Sequence, residues 1–323
     1  MPERLWGDER AIDGFRGYVT LFLDLLGMSN ELMKLEKLTT GELPLELEKE
    51  LSGPITALAL TRDSFEDIFK MLLESEHRTT EKLYSRTRPG YSITIEDPQV
   101  SIFTDCIIIS IPIDDKHPYI LASSMFGFFC ACAGVSTIPI IAGVPLRGAI
   151  SIGWGFKLRR PGDKEGEPTG EVLGAGNVKA HGLEAKAAIY PRIIVDHNVV
   201  EQMDAMIYGK EYHEEEKAQA ARLWNLAKEL VAVDKDCWSF IDFLSPAAFK
   251  LMKRHPQHRR VSIRENISQI EGAITEFYEK ATKSKRPDRA AKWGWLHTYF
   301  ETRKHSLYQL MEPEAESSNT DNH

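Results

Sequence analysis

Cysteine is scarce in this chain. Four residues, Cys106, Cys130, Cys132 and Cys237, stand among 323, with no CxxC pair and no zinc spacing. That excludes a disulfide scaffold or a zinc ribbon and predicts reduced thiols in a cytoplasmic protein. An excess of positive charge is missing too. The formal net charge is −8, which argues against a nucleic-acid partner. The first residues, MPERLWGDER, hold no apolar run of the signal-peptide kind. No internal repeat, Walker loop, GxSxG or HExxH occurs, so the chemistries those motifs carry lack sequence support. Charge itself vanishes between His117 and Leu146, counting histidine as neutral. A membrane span needs about 20 apolar residues. Here Gly134, Pro139, Gly143 and Pro145 break the run, while Ser123, Ser124, Ser136 and Thr137 dilute it. The expectation is a buried helix to about Gly134, a connector, then a strand from Leu146, with no membrane partner.

Against that background two acids stand out. Phe22 to Asn30 reads FLDLLGMSN, with Asp24 alone in an apolar run from Tyr18. An ionised carboxylate in a buried strand is costly unless it is paired or binds metal. A salt-bridged core acid is the plainer explanation for Asp24 taken by itself. The same segment reads as strand, Leu-Gly turn and helix start, and backbone N–H groups at such a turn form a phosphate cradle. Ser101 to Ile113 reads SIFTDCIIISIPI, where Asp105 is again a lone acid among β-branched residues, near a tight turn. Two carboxylates on neighbouring strands repel unless a cation lies between them. Hard oxygen donors completed by substrate phosphates are typical of magnesium.

The remaining pattern gives an order of elements. Strands are expected at about residues 18–25, 91–96, 100–113, 146–156 and 191–196. Helices are expected at about 29–38, 63–83, 117–134 and 176–188, with 39–54 a loop. KLRRPGDKEGEPTG, Lys157 to Gly170, reads as a charged loop. Strand, helix, hairpin, helix, strand is an α+β, ferredoxin-like βαββαβ arrangement. Beyond about Asn198 the texture becomes helical, at 214–233, 263–283 and 287–311. Residues 1–200 are therefore expected as a catalytic domain, 201–311 as a helical extension and 312–323 as a disordered tail. RHPQHRR, Arg254 to Arg260, reads as a solvated basic loop.

These segments carry a resemblance. FLDLLGMS is similar to the first strand and phosphate loop of class III nucleotidyl cyclases, TDCIIIS to their second metal-aspartate hairpin, and LRGAISIG, Leu146 to Gly153, to the strand that follows. With GLEAKAAIYPRIIVD, Gly182 to Asp196, the chain resembles most closely the pyrimidine nucleotide cyclases of Pycsar anti-phage systems, over roughly residues 15 to 200. The resemblance implies two divalent ions, Mg2+ or Mn2+, bridged by Asp24 and Asp105 with the Leu25 carbonyl as a further ligand. It implies a triphosphate held by the backbone of Leu26, Gly27, Met28 and Ser29. The product would be cyclic UMP or cyclic CMP, read by a downstream effector. It also implies a head-to-tail homodimer, with metal aspartates from one chain and base-reading groups from the other.

The same alignment exposes departures. Ser101 stands where purine cyclases carry a base-reading lysine, and Glu171 where they carry an aspartate. Val178 and Gly182 stand where adenylate cyclases carry a ribose-binding asparagine and a transition-state arginine. Lys186 and Lys179 lie close to Gly182 around the helix, at about 100° per residue, and are candidates for the missing cation. Arg159 and Arg160 are others, whereas Arg147 and Arg192 read as structural. An adenylate or guanylate cyclase is the alternative activity, and a catalytically inactive sensor or scaffold the alternative class. The missing asparagine and arginine favour inactivity, and two unpaired buried acids oppose it.

Overall fold

The computed structural model describes residues 12–26, 28, 32–37, 44–87, 96–158, 171–252 and 262–311. The α+β class is as expected. A central strand, β1 (Ile12–Leu25), alternates in the way a two-faced strand must. Val19, Leu21, Leu23 and Leu25 are buried on one face, and Thr20, Phe22 and Asp24 lie on the other. A long helix, α1 (Leu45–Thr87), leads to the hairpin β2 (Gln99–Phe103) and β3 (Cys106–Pro112). Helix α2 (Pro118–Ile141) then returns the chain to β4 (Leu146–Leu158). β1 lies between β3 and β4, antiparallel to both, and β2 lies outside β3.

The sheet continues beyond β4. The short strand β5 (Val172–Gly174) pairs with β4 and leads into α3 (Ala175–Ala187), which packs on β1 and β4. β6 (Ile193–Val195) runs parallel to β4. Then come α4 (His197–Tyr208), α5 (Glu214–Lys228), β7 (Val231–Val233), β8 (Ser239–Ile241), α6 (Pro246–Met252), α7 (Ile263–Lys283) and α8 (Pro287–Gln309). β8 pairs with β6 and β7 with β8, so the described strands form one sheet in the order β2-β3-β1-β4-β6-β8-β7, with β5 beside β4.

α1 and α2 cover the apolar face of the sheet, locked by Phe65 edge-on to Phe128 at 5.5 Å. α2 is the one described helix long and apolar enough to cross a membrane, and 89% of its apolar window is buried inside the protein. Arg192, fully buried before β6, pairs with Asp234 and Asp236 of the β7–β8 turn and lies 5.7 Å from the Trp295 ring of α8. That cluster fastens the C-terminal elements to the core and gives Arg192 the structural role expected. A second fastening is steric. Gly143 sits at φ +76, and a Cβ there would lie 2.2 Å from Cζ of Phe277 on α7.

Several expectations need correction. Residues 45–54 are helix, not loop, because α1 runs through Pro54 with Leu47, Leu51, Ala57 and Leu58 continuing its buried stripe. One missing N–H is offset by that packing. α2 likewise continues past Gly134 to Ile141, with Ser136 and Thr137 hydroxyls donating to the Cys132 and Gly134 carbonyls near Pro139. The hairpin lies wholly within 99–112. Asp105 occupies its turn, where Thr104 takes φ 45, and Glu96 lies outside any strand. Leu35–Lys37 is a 3-10 turn rather than the end of a helix. Residues 231–233 are strand, and β7 with β8 makes 201–311 more than a helical extension. Gly27, Ser29, Arg159, Arg160, residues 91–95, the basic run 254–260 and the tail 312–323 lie outside the described residues.

Candidate active site

The site is built where β1, the β2–β3 turn and β4 end together. Strand register sets Asp24 opposite Cys106 on one side and Arg147 on the other. The Leu25 N–H donates to the Asp105 carbonyl at 3.2 Å, which pins the hairpin turn against the end of β1. The Leu26 N–H donates to the Pro145 carbonyl at 3.1 Å, so this cradle amide is already engaged by the connector. Met28 is buried. Thr104 donates its hydroxyl to the Asp105 carboxylate at 2.8 Å.

Arg147 is the hub. Its Nε donates to Asp24 Oδ2 at 3.0 Å, its Nη2 lies 3.0 Å from the same oxygen, and its Nε lies 2.5 Å from Glu184 Oε1 on α3. Asp24 is therefore paired, and Asp105 is half-buried and accepts from Thr104, so the expectation of two unpaired buried acids is corrected for both. Glu184 is almost fully buried, and sequence reading missed it as a member of this corner.

The electrostatics show how crowded the corner is. Burial pushes the Asp24 carboxyl above its ordinary value; Arg147 pulls it down and the Asp105 charge pushes it up again. Burial also raises Glu184, opposed by Arg147 and reinforced by the Asp24 charge. The Cys106 thiol is pushed up to about 11, first by burial and then by the charges of Asp105 and Asp24. Asp24 and Glu184 thus share one guanidinium, with the Asp105 carboxylate close by. Lys292 of α8 is close enough to lower Asp24 slightly, and burial and the Arg147 charge lower Lys292 in turn.

This donor set fits a divalent cation in one respect. Magnesium is typically held by one or two carboxylates plus substrate phosphates. Asp24 and Asp105 supply two, and the excess of negative charge calls for a cation. No group of three or more His, Cys, Asp or Glu side chains suited to a metal occurs among the described residues. The phosphate oxygens would have to complete the shell.

Ser101 and Glu171 come together elsewhere. They line one cavity of about 400 Å³ with Arg62, Asp63 and Glu66 of α1, and neither Asp24 nor Asp105 borders it. Val178 is 75% exposed, and an added Cβ at Gly182 would meet open space. Asn177, the neighbour of Val178, turns inward, accepting from the Thr20 hydroxyl at 3.2 Å and donating to the Val172 carbonyl. Lys179 donates to the Ile152 carbonyl at 3.3 Å, five residues along β4 from Arg147. Lys186 is exposed and lies about 160° around α3 from Glu184. Neither lysine is brought to Asp24 of its own chain.

No family model matches this chain, and no curated protein matches it. Among solved structures, the guanylyl cyclase Cya2 is similar at 10% identity with a TM-score of 0.30, over 60% of this chain and 81% of that one. At that TM-score the likeness has no weight for fold or activity.

Proposed function

We propose that this protein is a nucleotidyl cyclase that converts a pyrimidine nucleoside triphosphate, UTP or CTP, into a 3′,5′-cyclic mononucleotide. The observation that carries the reading is the meeting of Asp24 and Asp105 at one corner of the sheet, where the Leu25 N–H donates to the Asp105 carbonyl. The β1-α1-β2-β3-α2-β4 order, with strands ordered β2-β3-β1-β4, supports a ferredoxin-like core. The 3′-oxygen bonds to the α-phosphorus, the bond to the β-phosphate oxygen breaks, and pyrophosphate and the hydroxyl proton leave. Two divalent ions bound at Asp24 and Asp105, with the Leu25 carbonyl, would supply activation of the hydroxyl and charge neutralisation. The chain's own residues then orient the base. Ser101 both donates and accepts, and Glu171 accepts when ionised, which matches a uracil N3–H or a cytosine amino group.

The Ser101–Glu171 cavity is separate from the aspartate corner. That separation supports a head-to-tail homodimer in which each site takes its aspartates from one chain and its base pocket from the other. In that assembly exposed Lys186 is the candidate for the missing cation toward the partner's site. The ion pair of Asp24 with Arg147 favours the second reading, a cyclase fold without turnover.

One experiment addresses both activity and assembly. Asp105→Ala and Glu171→Ala proteins are each expected to form almost no cyclic nucleotide from UTP. Mixed and allowed to exchange subunits, they regain up to about a quarter of wild-type activity, because half of the dimers hold one intact site of two. Absence of recovery after confirmed exchange places the whole site in one chain. An undiminished rate in either single variant removes that residue from the site.

A further inference from the structure

The C-terminal helices do more than pack. A cavity of about 490 Å³ lies between the loop after β1 and the start of α8, with Leu26, Met28 and Pro145 on one side and Arg289, Lys292 and Trp293 on the other. Its charges do not cancel. Arg286 pairs with Asp288 at 3.1 Å, and Glu50 on the rim pairs with Lys34 at 2.6 Å. Arg289 and Lys292 form no ion pair or side-chain hydrogen bond among the described residues, and LysArg pairs three apart on a helix share one side. The result is two surplus cations in a chain of net charge −8. Lys292 feels the charges of both Asp24 and Arg147, so the cavity adjoins the aspartate corner.

We propose that Arg289 and Lys292 bind the polyphosphate tail of the substrate, and the departing pyrophosphate, in the cavity beside Leu26 and Met28. The guanidinium offers forked donors and the ammonium a point charge, a pairing that suits phosphate oxygens. The carrier of these groups is α8, more than 260 residues after Asp24 in sequence yet adjacent to it in space. A tail bound here leaves the α-phosphate directed to the metal corner of the same chain. Naming the ligand as a nucleotide rests on the cyclase reading; binding of a polyphosphate does not.

The test is calorimetric titration of the full-length protein with inorganic tripolyphosphate in Mg2+, alongside UTP. Arg289→Gln/Lys292→Gln is expected to weaken tripolyphosphate about 10- to 100-fold, the loss of charge-assisted contacts. Lys70→Gln/Lys82→Gln, which removes equal charge from the exposed side of α1, is expected to bind as wild type. Arg289→Lys/Lys292→Arg keeps both charges and is expected to retain most of the affinity, which separates charge from packing. Equal affinity in the wild type and the double glutamine variant overturns the proposal, as does a wild type that binds no tripolyphosphate. Tripolyphosphate binding that depends on Arg289 and Lys292, without cyclic product from any nucleotide, upholds this site and removes the cyclase reading alone.

Discussion

Asp24→Asn and Asp105→Asn are each expected to lower cyclic nucleotide formation by on the order of 10³-fold, with product read by mass spectrometry at saturating Mn2+. The amide keeps the shape and one acceptor oxygen of each carboxylate but loses the charge that would hold a divalent cation in the proposed site. Folding survives, because Arg147 keeps Glu184 as a partner after Asp24 is neutralised. The pH dependence follows from the direction of the Asp24 shift. Its carboxyl is held above the ordinary value in the folded chain, chiefly by burial. A raised carboxyl contributes stability below its unfolded value and loses it as pH rises through the folded one. Wild type is therefore expected to lose stability relative to Asp24→Asn across that window. Unimpaired turnover in either variant takes the metal site away from these aspartates.

Gly143→Ala is expected to destabilise the protein by about 2–4 kcal/mol, to be read from the urea midpoint at unchanged slope. Two costs combine. The backbone at φ +76 is a conformation that a side chain disfavours, and the new Cβ would lie 2.2 Å from Phe277 Cζ. Phe277 cannot simply retreat, since it stacks on Trp293 with ring centroids 5.1 Å apart. Relief comes by moving α7, and α8 with it, away from the connector at Ala142–Pro145. Because α8 carries Arg289 and Lys292, tripolyphosphate affinity is expected to fall in the same variant. Gly143→Ala/Phe277→Leu is expected to recover the steric part and not the backbone part. A midpoint equal to wild type for Gly143→Ala shows that the connector and α7 are not in contact.

What the sequence discloses depends on how local the physics is. Asp24 stands out because a lone acid in an apolar strand is costly unless it is paired, whereas Asp105 occupies the hairpin turn, where half-burial and Thr104 lessen that cost. The partner of Asp24 is not legible, since Arg147 reaches it only through β1–β4 register, 123 positions away. Ser101 and Glu171 become legible through resemblance to cyclases, and the fold gives them a common cavity. Arg289 and Lys292 are hidden for a different reason. Periodicity reports that α8 is a helix but not what its first turns face. The signal was the basic run Lys283, Lys285, Arg286, Arg289 and Lys292, which charge counting over the whole acidic chain obscures. Pro54 and Pro139 mislead for the opposite reason, because a local helix-breaking rule yields to burial along α1 and α2.

The most direct measurement is a competition. Purified full-length protein is incubated with equal ATP, GTP, CTP and UTP in Mn2+, and the cyclic products are separated by mass. The proposed pyrimidine preference rests on Ser101 in place of a lysine, since leaving a polar group unpaired against the base costs about 1–3 kcal/mol, roughly 5- to 150-fold in selectivity. Cyclic UMP or cyclic CMP is expected to dominate, with UTP preferred, and Asp24→Asn to abolish it. Dominant cyclic AMP or cyclic GMP, or no cyclic product from any of the four, contradicts the account.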